Sequence, residues 1–104
     1  MEGKIKNKRV LITGASKGLG SVCAKEFADL GARLLIAGRN IEKLEELRQA
    51  FPDPKSHRVF AGDLTSPKIC QDLVSQTMGF LGGLDVIVHV AGGGYGFRDP
   101  LLTW

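Results

Sequence analysis

Four short apolar runs, at residues 10–13, 33–37, 58–61 and 84–91, are each halted by a glycine and alternate with helical patterns. That alternation constrains the fold more than any other feature. Runs that stay apolar without skipping every second position suit strands buried on both faces. The segments between them have a different period. Leu19, Val22, Cys23, Phe27 and Leu30 recur at three- and four-residue steps and predict one buried helical face, with Gly31 as a left-handed stop. Asn40 offers an N-cap to a second helix with the stripe Ile41, Leu44, Leu47 and Phe51, ended by Pro52 and Pro54. Ser66-Pro67 opens a third, carried by Ile69, Cys70, Leu73, Val74, Thr77 and Leu81 to Gly82-Gly83. The order βαβαβαβ implies α/β architecture, with parallel strands joined by right-handed crossovers. A chain of 104 residues has room for one such domain, without a second.

The first strand runs straight into Thr13-Gly14-Ala15-Ser16-Lys17-Gly18-Leu19-Gly20, and the first helix follows. This is where nucleotide-binding α/β folds place a phosphate loop. Gly14 permits a sharp turn off the strand, Gly18 removes the Cβ that would hold a diphosphate away, and Gly20 lets the helix pack tightly on the sheet. Unpaired N–H groups and the positive end of the helix dipole would then face the anion. Gly-Lys-Ser/Thr is missing from the loop, which argues against a P-loop ATPase.

Composition narrows the remaining classes. The charge of +3 is concentrated in Lys4, Lys6, Lys8 and Arg9, without interleaved aromatics, and is read as a solvated lead-in rather than a nucleic-acid arm. The hydropathy pattern holds no membrane span, and the basic start leads into a strand rather than a secretory signal. Cys23 and Cys70 sit singly in helical patterns, so neither a disulfide framework nor a metal site is expected. A reducing, cytoplasmic setting fits.

The glycine spacing TGxxxGxG, with Gly38-Arg39-Asn40 after the second strand, Asp63-Leu64 after the third and Ala91-Gly92 after the fourth, resembles the coenzyme half of a short-chain dehydrogenase/reductase, from about residue 8 to residue 104. The resemblance implies a partial Rossmann fold with sheet order 3-2-1-4. Two helices would cover one face and the third the other. It also implies a dinucleotide coenzyme held by Gly14, Ser16, Lys17, Gly18, Leu19, Gly20, Arg39, Asp63, Leu64, Ala91 and Gly92. NAD-binding Rossmann domains usually end the second strand on an acid that holds the ribose 2′-OH. Here Gly38 stands there, and Arg39 offers a planar fork to a 2′-phosphate. Lys17 is a second cation where related members contact the same phosphate. NADP(H) is therefore favoured over NAD(H). Asp63 and Leu64 would meet the adenine, and Asp63 also suits an N-cap for the next helix, a role compatible with the first.

The chain also departs from the family pattern. Where the family commonly ends its fourth strand in NNAG, this sequence has His89-Val90-Ala91-Gly92, and His89 is read as a hydrogen-bonded interior histidine. The family's catalytic Ser and Tyr-x-x-x-Lys are missing, since Tyr95 is followed four residues later by Asp99. No catalytic residue is assigned. The expectation is an NADP(H)-binding half of a carbonyl/alcohol oxidoreductase, truncated before the catalytic half and inactive alone. Its rivals are a non-catalytic NADPH-binding or interaction module and a decayed gene product. An exposed fourth-strand edge bearing Val86, Ile87, Val88 and Val90 is expected to leave the product marginally stable and prone to self-association.

Overall fold

The computed structural model describes residues 5–16 and 18–90; Lys17, Ala91, Gly92 and Tyr95 lie outside them. The elements run β1 (Arg9–Thr13), α1 (Gly18–Asp29), β2 (Arg33–Gly38), α2 (Ile41–Gln49), β3 (Arg58–Ala61), α3 (Pro67–Leu81) and β4 (Val86–His89), with a 3-10 turn at Pro54–Ser56. The sheet is parallel, in the order β3-β2-β1-β4. Thr13 pairs with Ala37 on one side and His89 on the other, so β1, β2 and β4 end at one level.

Local chemistry sets the element ends. Asn40 accepts a hydrogen bond from the Lys43 N–H at 3.1 Å, and Ser66 accepts one from Ile69 at 3.4 Å ahead of Pro67. Gly82, at φ +78°, donates to the Met78 carbonyl at 2.9 Å and stops α3. β4 is shorter than the apolar run 84–91, but Leu84 still packs into the core on the α3 side.

The core has two layers, divided as expected. Val10, Ile12, Leu34 and Ile36 are fully buried against Ala24 and Ala28 of α1, Leu44 of α2 and Phe51 just beyond it. Leu11, Leu35, Ala37 and Phe60 face Leu73 and Leu81 of α3.

The faces the helices present differ from the apolar count. In α1 the buried residues are Gly20, Ala24 and Ala28, while Leu19 and Val22 are 60% and 59% exposed. Small residues four apart make a low ridge that brings the helix close to the strands, and close packing selects that ridge over the larger side chains. In α3, Leu73, Thr77 and Leu81 take the buried face and Val74 turns outward. Thr77 tolerates burial because its hydroxyl donates to the Leu73 carbonyl at 2.7 Å. In α2 only Leu44 is buried, Ile41 is exposed, and the helix ends at Gln49, short of Pro52.

Candidate functional site

The three loop glycines do different work. Gly14 has φ +70°, and a Cβ there would lie 2.3 Å from the Val90 carbonyl oxygen, so both the turn and the closeness of the chain after β4 require glycine. A Cβ on Gly20 would lie 2.0 Å from the Gly14 carbonyl oxygen. Its nearest neighbour is therefore the loop's own first carbonyl rather than the sheet, and the start of α1 folds back onto the end of β1. Gly18, at φ +61°, has no atom of the described residues beyond its own stretch of chain within 4 Å of where its Cβ would be. It borders open space at the first turn of α1, where N–H groups lack helical partners. Leu19 beside it is exposed, with nothing in the described fold covering it.

The loop is anchored to the sheet. The Ala15 N–H donates to the Ala37 carbonyl at 3.0 Å, and the Val90 N–H donates to the Thr13 carbonyl at 3.2 Å. Thr13 Oγ1 lies 2.7 Å from His89 Nδ1, giving that half-buried histidine a partner on β1. Ser16 lies over the end of β2, where a Cβ on Gly38 would come within 3.2 Å of its Oγ. Gly38 thus makes room for the loop, in addition to leaving the end of β2 without an acid.

Arg39 and Asp63 follow β2 and β3. Their closest approach is 3.8 Å, with the side chains 77% and 60% exposed, and such a contact holds neither in place. The Asp63 carboxylate accepts from the Thr65 N–H at 3.0 Å and the Thr65 hydroxyl at 2.7 Å. These bonds, with a smaller contribution from Arg39, hold its pKa below the ordinary carboxylate value. The N-cap reading of Asp63 gives way here, since Ser66 caps α3 and Asp63 closes the turn ahead of it. Leu64 is half-buried on the α3-side core, and its carbonyl accepts from the Cys70 thiol at 3.0 Å.

Next to the loop, Ser16, Ser21, Lys43, Glu46 and Leu47 line a cavity of about 230 Å³, open to solvent. Lys43 and Glu46 were not singled out by sequence. The available signal was position: Lys43 lies in the first turn of the helix that follows the end of β2.

A family model described as short chain dehydrogenase matches residues 8–101. The chain belongs to this family. Among curated short-chain dehydrogenase relatives, dehydrogenase/reductase SDR family member 7B of Bos taurus is 37% identical over 102 residues, covering 91% of this chain and 31% of that protein. Glucose 1-dehydrogenase of Gluconobacter oxydans is 38% identical over 87 residues, covering 82% of this chain and 33% of that protein. The chain spans about a third of the length of these relatives. A crystal structure of a short chain dehydrogenase from Bacillus anthracis matches with TM-score 0.79 and 34% identity, covering 86% of this chain and 36% of that one. The 3-ketoacyl-(acyl-carrier-protein) reductase of Brucella melitensis, solved in complex with NADH, matches with TM-score 0.74 and 28% identity over 80% of this chain and 34% of that one.

In this short-chain dehydrogenase fold, Gly14, Ser16, Gly18, Leu19, Gly20, Arg39, Asp63 and Leu64 gather around the carboxyl ends of the strands. No helix among the described residues is long and apolar enough to cross a membrane.

Proposed function

We propose that the carboxyl end of this sheet binds a nicotinamide dinucleotide, NADP(H) in preference to NAD(H), as the coenzyme half of a carbonyl/alcohol oxidoreductase. The observation that carries the reading is the open space at Gly18 among the described residues, at the first turn of α1, beside the tightly packed Gly14 and Gly20. A diphosphate needs such a notch, lined by amides and free of a Cβ. The residues present suit the group: the first-turn amides around Gly18, Leu19 and Gly20 face the diphosphate, with Gly14 shaping the turn and Ser16 beside them. Asp63 accepts from the adenine amino group and the Leu64 N–H meets a ring nitrogen. Ala91 and Gly92, small residues following the fourth strand in the sequence, would allow the coenzyme a close approach.

The choice of coenzyme rests on charge. Gly38 presents no carboxylate to repel a 2′-phosphate, and Arg39 can leave its loose contact with Asp63 at little cost. A charge-assisted bond from Arg39 contributes about 1.5–3 kcal/mol, or roughly ten- to a hundredfold in affinity. Lys17 adds a second cation from the loop.

When bound, the coenzyme supplies the hydride donor or acceptor. The residues here position it, and the family's Tyr-x-x-x-Lys proton pair is missing, since Tyr95 lacks a lysine four residues on. These 104 residues therefore bind without turning over a carbonyl substrate. Among the described residues β4 is an edge strand; of the valines and isoleucine expected to be exposed there, Val86 and Val88 pack against the core and Ile87 is 53% exposed, and this edge supports self-association.

The test is a fluorescence titration of the chain with NADPH and NADH, alongside a carbonyl-reduction assay. Saturable binding at least roughly tenfold tighter for NADPH, with no turnover, is expected. Equal affinities overturn the preference, absence of saturable binding overturns the coenzyme reading, and turnover overturns the claim of inertness.

A further inference from the structure

We propose that Lys43 is a specificity-determining residue for the ribose 2′-phosphate, acting with Ser16 from the cavity between the glycine loop and α2, and that Glu46 opposes it. The proposal rests on the NADP(H) reading above and adds two residues to it.

Ser16 connects the two places. Its side chain lies over Gly38 at the end of β2, one residue before Arg39, and the same residue forms a wall of the cavity. A phosphate on a ribose held at the end of β2 therefore meets Ser16 on the side that opens toward α2. The remaining lining decides what that side offers. The Ser21 hydroxyl is occupied, donating to the Gly18 carbonyl at 2.8 Å, and Leu47 is apolar. Among the described lining residues, Ser16, Lys43 and Glu46 remain to supply polar or charged groups to an incoming ligand.

Lys43 makes no ion pair among the described residues, whereas Arg48 on the same helix is held by Glu45 at 2.8 Å. The Lys43 backbone N–H is already bonded to the Asn40 side chain at 3.1 Å, so its contribution is the ammonium and not the end of the helix. Arg39 follows β2 directly, and Lys43 adds a cation from the cavity. A phosphate dianion between them gains from both, while Glu46 repels it. The 2′-OH of NAD(H) carries no charge and gains nothing from Lys43.

The experiment titrates the wild-type chain, Lys43→Gln and Glu46→Gln with NADPH, NADH and 2′,5′-ADP, with thermal melting to confirm that each variant folds. Lys43→Gln should weaken NADPH and 2′,5′-ADP about tenfold and leave NADH unchanged. Glu46→Gln should tighten both 2′-phosphate ligands severalfold, again without effect on NADH. Equal changes for NADPH and NADH, or no change in either variant, overturn the role of Lys43 while a wild-type NADPH preference still stands. A wild-type chain that binds neither coenzyme defeats the underlying reading and this one with it.

Discussion

The amino and carboxyl ends of the sheet treat their polar groups in opposite ways. At the amino end an arginine opens each of β1, β2 and β3, and each has a partner. Arg9 donates to both oxygens of the Asp85 carboxylate at 3.0 Å and through its backbone N–H at 2.9 Å. Arg33 and Arg58 lie over the Phe80 ring at 5.3 and 4.5 Å, and Arg33 also donates to the Phe80 carbonyl at 3.3 Å. His57, 5% exposed, accepts the Leu34 N–H at Nδ1 and donates from Nε2 to the Pro52 carbonyl, both at 3.2 Å. At the carboxyl end, among the described residues, Arg39 makes one ion-pair contact, at 3.8 Å between exposed groups, and Gly18 has open space where its Cβ would be. Among the described residues, the amino end is closed by its own side chains, while the carboxyl end, despite the Thr13–His89 and Asp63–Thr65 bonds, leaves Arg39 and the first turn of α1 loosely engaged, and it is at this end that open parallel sheets bind ligands.

Gly20→Ala breaks this contrast most severely. Its Cβ meets backbone at 2.0 Å, so a loss of about 3 kcal/mol is expected, a fall in Tm of about 12 °C or more by calorimetry. Gly18→Ala meets no neighbour among the described residues and costs only about 1 kcal/mol for its φ of +61°. It should nonetheless weaken NADPH at least roughly tenfold in titration. Equal damage to stability from the two substitutions would erase the distinction between the packed and the open glycine.

Asp85→Ala removes the acceptor for Arg9 and should lower Tm, whereas Asp63→Ala at the opposite end should leave it nearly unchanged in the same scans. The Arg9 guanidinium and backbone N–H hold the Asp85 pKa well below the ordinary carboxylate value. Its stabilisation is therefore complete above the unfolded value of 3.8 and is lost as pH falls below it.

His57 gives a smaller effect in a separate window. Burial lowers its folded pKa below the unfolded value of 6.5, so at lower pH the unfolded chain binds the extra proton. Stability is complete above that value and declines as pH falls below it. Urea midpoints across this range should show the decline in wild type, and His57→Gln should flatten it. Arg39→Ala should change stability least, leaving Tm in place while removing most of the NADPH preference in paired titrations.

Much of this was legible in the residues. The four strands announce themselves as uninterrupted apolar runs, and Asn40, Ser66-Pro67, Gly31 and Gly82 mark helix ends through backbone demands that act locally. The sheet order came from family resemblance, because crossover rules alone leave several orders open. The buried face of α1 was hidden: Gly20, Ala24 and Ala28 carry little hydrophobic weight, and only contact with the strands reveals why small residues belong there. At the site, Gly14, Gly18 and Gly20 stand out by spacing. Lys43 and Glu46 look like any solvated helix face until the fold brings Ser16 beside them. Gly38 had a second meaning, visible only once the Ser16 side chain was found lying over it.

The most direct test of the carboxyl-end site is an amide NMR titration of the chain with NADPH. Saturable shifts should concentrate at Gly14, Ser16, Gly18, Leu19, Gly20 and Arg39, leaving Arg9, Arg33, His57 and Asp85 in place. Shifts confined to the amino end, or no saturable shifts in a folded chain, would contradict it.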